Sequence, residues 1–197
     1  MIAALYVETG GVYYGRDDVD PWGVERDARK YAGPWPVVAH PPCQVWCRLA
    51  GFVEARWGHK RGEDGGTFNA ALDSVRAHGG VLEHPAWSDA WAAHDLLAPP
   101  RSGGWIVADF FGGWTCYVEQ GRYGHPAKKA TWLYARGVDL PSLRWGHNAD
   151  QKSEALVSWC GNHVSSGEVR PRLGKKAANA SPPAFAELLI NMARSAT

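Results

Sequence analysis

Three short segments carry the residue types from which chemistry can be built: His40-Pro-Pro-Cys-Gln44, Leu82-Glu-His-Pro85 and Tyr123-Gly-His-Pro-Ala-Lys-Lys129. Pro41 and Pro42 stiffen the turn before Cys43 and so fix where its thiol points. A thiolate is a strong nucleophile once nearby positive charge or a helix start lowers its pKa. A carboxylate beside it, here Glu83, serves as a proton donor when burial raises its own pKa. The plain structural alternative makes Cys43 a small buried hydrophobe and Glu83 a hydrogen-bond acceptor. A metal site is a second alternative, because His40, Cys43, Cys47 and His59 lie close in sequence and Cys43 and Cys47 have ligand spacing. No second cysteine pair completes that set at a standard interval, although Cys116, Cys160 and His163 remain to be placed in space, and no metal is assigned.

The elements that must hold these segments read as an alternation of strands and helices. Ile2 to Glu8 and Trp35 to His40 are β-prone runs closed by Gly10-Gly11 and Pro41-Pro42. Between them, Asp20 as cap and Pro21 at the first helical position predict a helix to Tyr31. Gly51 to Gly66 has no apolar periodicity and reads as a long exposed loop. A helix capped by Thr67, with Phe68, Ala71, Leu72 and Val75 on one face, stops at Gly79-Gly80. Strand Gly80 to His84 and a helix over Trp87 to Leu97 come next. Strand candidates at Trp105 to Phe111, Thr115 to Glu119 and Thr131 to Ala135 follow. Residues 136–178 form an irregular insertion positioned to contact substrate, and a helix capped near Ser181-Pro-Pro closes the chain. This order predicts a single α/β domain over residues 1–197, a mostly parallel sheet with flanking helices. In such a sheet ligands sit beyond the carboxyl ends of the strands, where both Cys43 and Glu83 fall.

Composition narrows the classes. The 197 residues are 45% hydrophobic and 21% charged, ordinary values for a globular chain and not for a disordered or fibrous one. A net charge of +1 excludes a global basic field, so any nucleic-acid partner must be held by a local patch. No apolar run approaches the roughly 20 residues that span a bilayer, and the first residues lack a basic leader, so no membrane association and a cytoplasmic location are expected. In a reducing compartment the four cysteines are free thiols. Eleven tryptophans are an excess that provides rigid stacking surfaces.

Taken together, the segments resemble the DNA cytosine-5 methyltransferases. Val37 to Gly51, with Pro36 before it, is similar to that family's Pro-Cys-Gln segment, and Gly80 to Pro85 to its Glu-Asn-Val segment, with His84-Pro85 where Asn-Val is usual. Arg122 to Ala135 is similar to the later Tyr-Gly-x-Pro segment and its Gln-x-Arg-x-Arg strand. Asn179 to Glu187 is similar to the Gly-Asn-x-x-Pro-Pro helix. The 40 residues from Cys43 to Glu83 and 45 from Glu83 to Lys128 are also similar to the family's separations. The resemblance covers the catalytic half, with a shortened cofactor-binding part ahead of Cys43 and little room for a target-recognition domain.

The resemblance implies a Rossmann-like core and one-carbon transfer to C5 of cytosine. Cys43 would add to C6 while Glu83 holds the N3 and exocyclic amino edge. Gln44, Arg122, Lys128 and Lys129 would bind substrate. S-adenosylmethionine would be the donor, lying among Glu8, Asp20, Pro42 and Asn179, with Asp18 or Asp20 reaching its ribose. The partner would be DNA with the cytosine flipped out and the Gln44 to Trp57 segment flanking the gap. Two other readings are an enzyme using a folate or another donor, of the thymidylate-synthase kind, and a nucleic-acid-binding relative without catalysis.

Overall fold

A computed structural model of the chain describes residues 1–47, 50–147, 153–157 and 171–197. Cys160, His163 and most of the expected insertion's second half lie outside the described residues. The strands are β1 (Ile2–Leu5), β2 (Val19–Trp22), β3 (Val37–Ala39), β4 (Gly80–Pro85), β5 (Ile106–Val107), β6 (Trp114–Glu119) and β7 (Ala130–Arg136). The helices are α1 (Ala50–Trp57), α2 (Thr67–His78), α3 (Asp89–Ala93), α4 (Lys175–Asn179) and α5 (Pro183–Arg194). The architecture is α/β, with one sheet in the order β2-β1-β3-β4-β7-β6-β5.

The sheet is mixed. Strands β2, β1, β3 and β4 pair in parallel, whereas β4 with β7, β7 with β6 and β6 with β5 are antiparallel. The parallel arrangement expected of the sheet holds in its β2-β1-β3-β4 part, and the β6–β7 pair is antiparallel because of its link. That link is a short 3-10 turn at Gln120–Tyr123 plus a few residues, too short for the crossover that a parallel pair needs.

Strand alternation divides the core into two layers. Ala3, Leu5, Val37, Ala39 and Leu82 face α2, whose Phe68, Ala71, Leu72 and Val75 are buried against them. Ile2, Ala4, Val38 and Val81 face α5, which buries Phe185, Ala186, Leu189 and Ile190. Gly80 lets β3 and β4 come together: its φ is +130°, and a Cβ there would lie 2.0 Å from the Val37 carbonyl oxygen.

Several expected elements are corrected. Val19–Trp22 is a strand paired with β1 and not the start of a helix, and only Ala28–Lys30 turns as a short 3-10 segment capped by Asp27. Pro21 is compatible with a strand because β2 is at the sheet edge, where a missing N–H costs no ladder bond. Helix α1 occupies part of the expected loop. It buries only Ala50, so no apolar periodicity announces it. Helix α2 starts after Gly66, and the capping role expected of Thr67 belongs to Asp64, whose carboxylate accepts from the Phe68 and Gly66 amides at 2.8 Å each. Helix α3 is shorter than expected, starting after the Ser88 cap. Strand β5 stops at Val107 because Asp109 accepts from the Phe111 and Gly113 amides and forms a turn. Among the described residues, no helix is long and apolar enough to cross a membrane.

His84 shows what the α2 face of β4 costs. Its ring is fully buried against Phe68 and Trp91, and burial holds its pKa down at about 4 against the opposing pull of the Glu83 charge and the Pro42 carbonyl. The unfolded chain takes up this proton below about pH 6.5, whereas the folded chain refuses it until about 4. Stability therefore falls as pH drops through that window, by about 3 kcal/mol from this residue. Urea unfolding across the window is expected to show His84→Phe flattening the loss by that order, and an unchanged pH dependence would refute the assignment.

Candidate active site

The chain leaves β1 toward β2 on one side and returns to β3 on the other. This reversal opens a crevice beyond the carboxyl ends of β1 and β3, the usual place for a ligand in such sheets. His40 follows β3 directly, and Glu83 lies two residues beyond Val81 in β4. Because Ala39 is in register with Leu82, alternation directs His40 and Glu83 to the same face, the one covered by α5. Their side chains meet, with His40 Nδ1 2.9 Å from Glu83 Oε2.

That contact has a buried surround. The Tyr13 hydroxyl lies 2.7 Å from His40 Nε2. On the other carboxylate oxygen, Gln120 Nε2 donates to Glu83 Oε1 at 3.0 Å and reaches the Thr131 hydroxyl at 3.1 Å. Burial on its own would raise the Glu83 pKa, but the His40 hydrogen bond and the charges on His40 and Lys129 outweigh it and hold the carboxyl at about 2. With Glu83 ionised, Nδ1 must carry the hydrogen of the His40 contact.

Lys129, the residue just before β7, closes the cluster. It has a φ of +43°, and its ammonium donates to the carbonyls of Asn179 and Ala180 at 2.9 and 3.0 Å. Burial lowers its pKa, opposed by the charges of Glu83 and Cys43. Asn179 thus acts through its backbone, anchoring Lys129 at the link between α4 and α5.

Cys43 begins a single turn in which the Trp46 and Cys47 amides donate to its carbonyl at 3.0 and 2.9 Å. The turn is held down by residues that follow α1: Gly62 N donates to Val45 O at 3.0 Å, and Trp46 Nε1 donates to Asp64 at 2.9 Å. Gln44 and Pro42 line a cavity of about 140 Å³ beside it, together with His59 and Glu63. The thiol is pushed up to about 11, first by burial and then by the nearby Cys47 and Glu83, with Lys129 pulling the other way. At neutral pH the resting group is a thiol.

The three segments singled out in the sequence therefore meet through Cys43, Glu83 and Lys129. Lys128 turns to a different wall, a cavity of about 260 Å³ shared with Gly121, Gly124, His125 and Glu154. Arg122 sits in the 3-10 turn, its carbonyl accepting from Arg144 and its Nε buried without a hydrogen-bond partner. His40, Tyr13 and Gln120 were not anticipated around the glutamate. The position of His40 at a strand end beside the glutamate strand is the signal that could have found it. As a metal ligand His40 is spent on both ring nitrogens, and among the described residues no three His, Cys, Asp or Glu side chains group as a ligand set.

The residues expected around S-adenosylmethionine are also engaged. Asp20 accepts from Arg26 at 2.5 Å and from Trp22 Nε1 at 2.8 Å, Asp18 is paired with Arg194, and Glu8 is 3.6 Å from Lys176. Neither Asp20 nor Asp18 offers an uncommitted carboxylate to ribose hydroxyls, so the residues as arranged do not fit that donor. No family model, no curated protein and no solved structure matches the chain.

Coupling between the carboxylate and the thiol is directly testable. Removing the Glu83 charge removes one cause of the high thiol pKa, so Glu83→Gln is expected to speed iodoacetamide alkylation of Cys43 at pH 8 by several-fold. Peptide mass spectrometry reads the rate, and an unchanged or slower reaction would show that the two groups are not coupled.

Proposed function

We propose that this site modifies C5 of a pyrimidine, cytosine in DNA, through a covalent bond from Cys43 to C6. The supporting observation is the convergence of Cys43, Glu83 and Lys129, from segments far apart in the chain, at the carboxyl ends of β3 and β4 and the start of β7. C5 of cytosine is a poor nucleophile. As the sulfur–C6 bond forms, the C5=C6 pair moves into C4=C5 and the C4=N3 pair moves onto N3, which takes a proton. C5 is then enamine-like and attacks a one-carbon electrophile, whose bond to its carrier breaks with the electron pair leaving on the carrier. Loss of the C5 proton, loss of the N3 proton and departure of the thiolate restore the ring.

Each residue has a role in that sequence. Glu83 faces the N3 and amino edge, where charge changes most, and a group positioned there acts on the transition state more than on the bound base. Lys129 faces both Glu83 and Cys43, so it favours the thiolate as the bond is made. DNA is the proposed partner because α1, which follows Cys43, exposes Phe52, Trp57 and Arg56 instead of burying them, a combination suited to stacking and phosphate contact. With Asp18 and Asp20 committed, a donor other than S-adenosylmethionine is the second reading, and a reduced folate is its first candidate.

The test avoids the donor. In DNA of mixed sequence carrying 5-azacytosine, position 5 is a nitrogen that takes a proton, so thiol addition needs no carbon source. The protein is expected to form an adduct that survives denaturation and maps to Cys43, and Cys43→Ala is expected to form none. Folded protein that forms no adduct, or a Cys43→Ala variant that still does, would overturn the reading.

A further inference from the structure

The low pKa of Glu83 poses a chemical question. A carboxylate that accepts from His40 on one oxygen and from Gln120 on the other has no proton of its own to give, yet the proposed addition requires one at N3. The group that can supply it is in contact with Glu83. His40 is half-buried, its Nδ1 is on the carboxylate, and its Nε2 is on the hydroxyl of Tyr13, whose side chain is almost fully buried.

We propose that His40, oriented by Tyr13, stores the proton that Glu83 exchanges with the substrate, so that His40 and Glu83 work as one unit. The inference rests on the pyrimidine reading above. In the charged form the imidazolium Nδ1–H faces the carboxylate, and moving that proton onto Glu83 gives a neutral imidazole and a carboxylic acid. The unit then passes the proton to N3 as negative charge arrives there, ending as neutral imidazole and carboxylate. The proton released by the Cys43 thiol when the sulfur–C6 bond forms restores the imidazolium, so no proton is gained or lost overall. Tyr13 makes the arrangement one-directional, because a ring whose Nε2 is committed to the phenol presents Nδ1 to Glu83.

Other titratable groups around Glu83 do not take this role. Lys129 faces it from just before β7, but its ammonium donates to two backbone carbonyls. His84 is the next residue in β4 and resists protonation in its apolar surround, and Cys43 supplies the nucleophile. His40 and Tyr13 are thus positioning residues that act through Glu83.

The experiment follows the rate of adduct formation on 5-azacytosine DNA against pH in the intact chain. The wild type is expected to lose rate on the alkaline side. His40→Gln still donates a hydrogen bond to Glu83 but stores no proton. It is expected to react about tenfold or more slowly at neutral pH and to lack that alkaline limb. Tyr13→Phe keeps the limb but moves its midpoint. An identical profile in His40→Gln and wild type would overturn the proposal and leave the pyrimidine reading standing. Absence of an adduct in the wild type would overturn both. Nitrogen NMR of the His40 ring is a substrate-free control. A proton on Nδ1 throughout the neutral range is expected, and one fixed on Nε2 alone would also overturn the proposal.

Discussion

The hydrogen bond between His40 and Glu83 is the interaction on which the rest of the site depends. Burying an ionised carboxylate is unfavourable by several kcal/mol unless donors replace the lost water. Here His40 takes one oxygen, Gln120 the other, and Lys129 adds charge. Each of those groups has its own anchor: Tyr13 behind His40, Thr131 beside Gln120, and the Asn179 and Ala180 carbonyls on Lys129. The network therefore joins the loop after β1, the end of β3, β4, the turn after β6, the start of β7 and the link into α5.

Charge is distributed between the two central groups in an unexpected direction. Read from residue types alone, Cys43 is the activated anion and Glu83 the buried acid. The environment reverses both, leaving a protonated thiol next to an ionised carboxylate. The reversal follows from donor geometry: two hydrogen bonds converge on Glu83, whereas burial first, and then the neighbouring Cys47 and Glu83, act on the Cys43 sulfur. The resting Cys43 is thus a thiol, and in the proposed reaction proton movement accompanies bond formation instead of preceding it.

What was legible in the sequence was the part carried by periodicity and by turn residues. The continuous apolar runs Ile2–Leu5 and Val37–Ala39, the face of α2, the stop at Gly79-Gly80 and the proline start of α5 all have local signals, and they suffice to put Cys43 and Glu83 toward strand ends. What was not legible depended on partners distant in sequence. Strand β2 contains a proline and is a strand only because it is at the edge beside β1. Helix α1 buries almost nothing and leaves no pattern. The engagement of Lys129 by α4 and of Asp20 by Arg26 comes from backbone carbonyls and a surface arginine, which no spacing rule encodes. The placement of Cys43 and Glu83 beyond strand ends was thus legible, and the shell that sets their charge was not.

Glu83 is a carboxylate held ionised by its donors. Infrared difference spectroscopy of the protein against Glu83→Gln, with glutamate carbon isotopically labelled, isolates this one group. The protonated-carboxyl stretch of Glu83 is expected to stay absent as pH falls through the ordinary glutamate range near 4.5 and to emerge only toward about 2. A band that appears with a midpoint at or above 4.5 would contradict it, and would make Glu83 an ordinary buried acid and His40 a bystander.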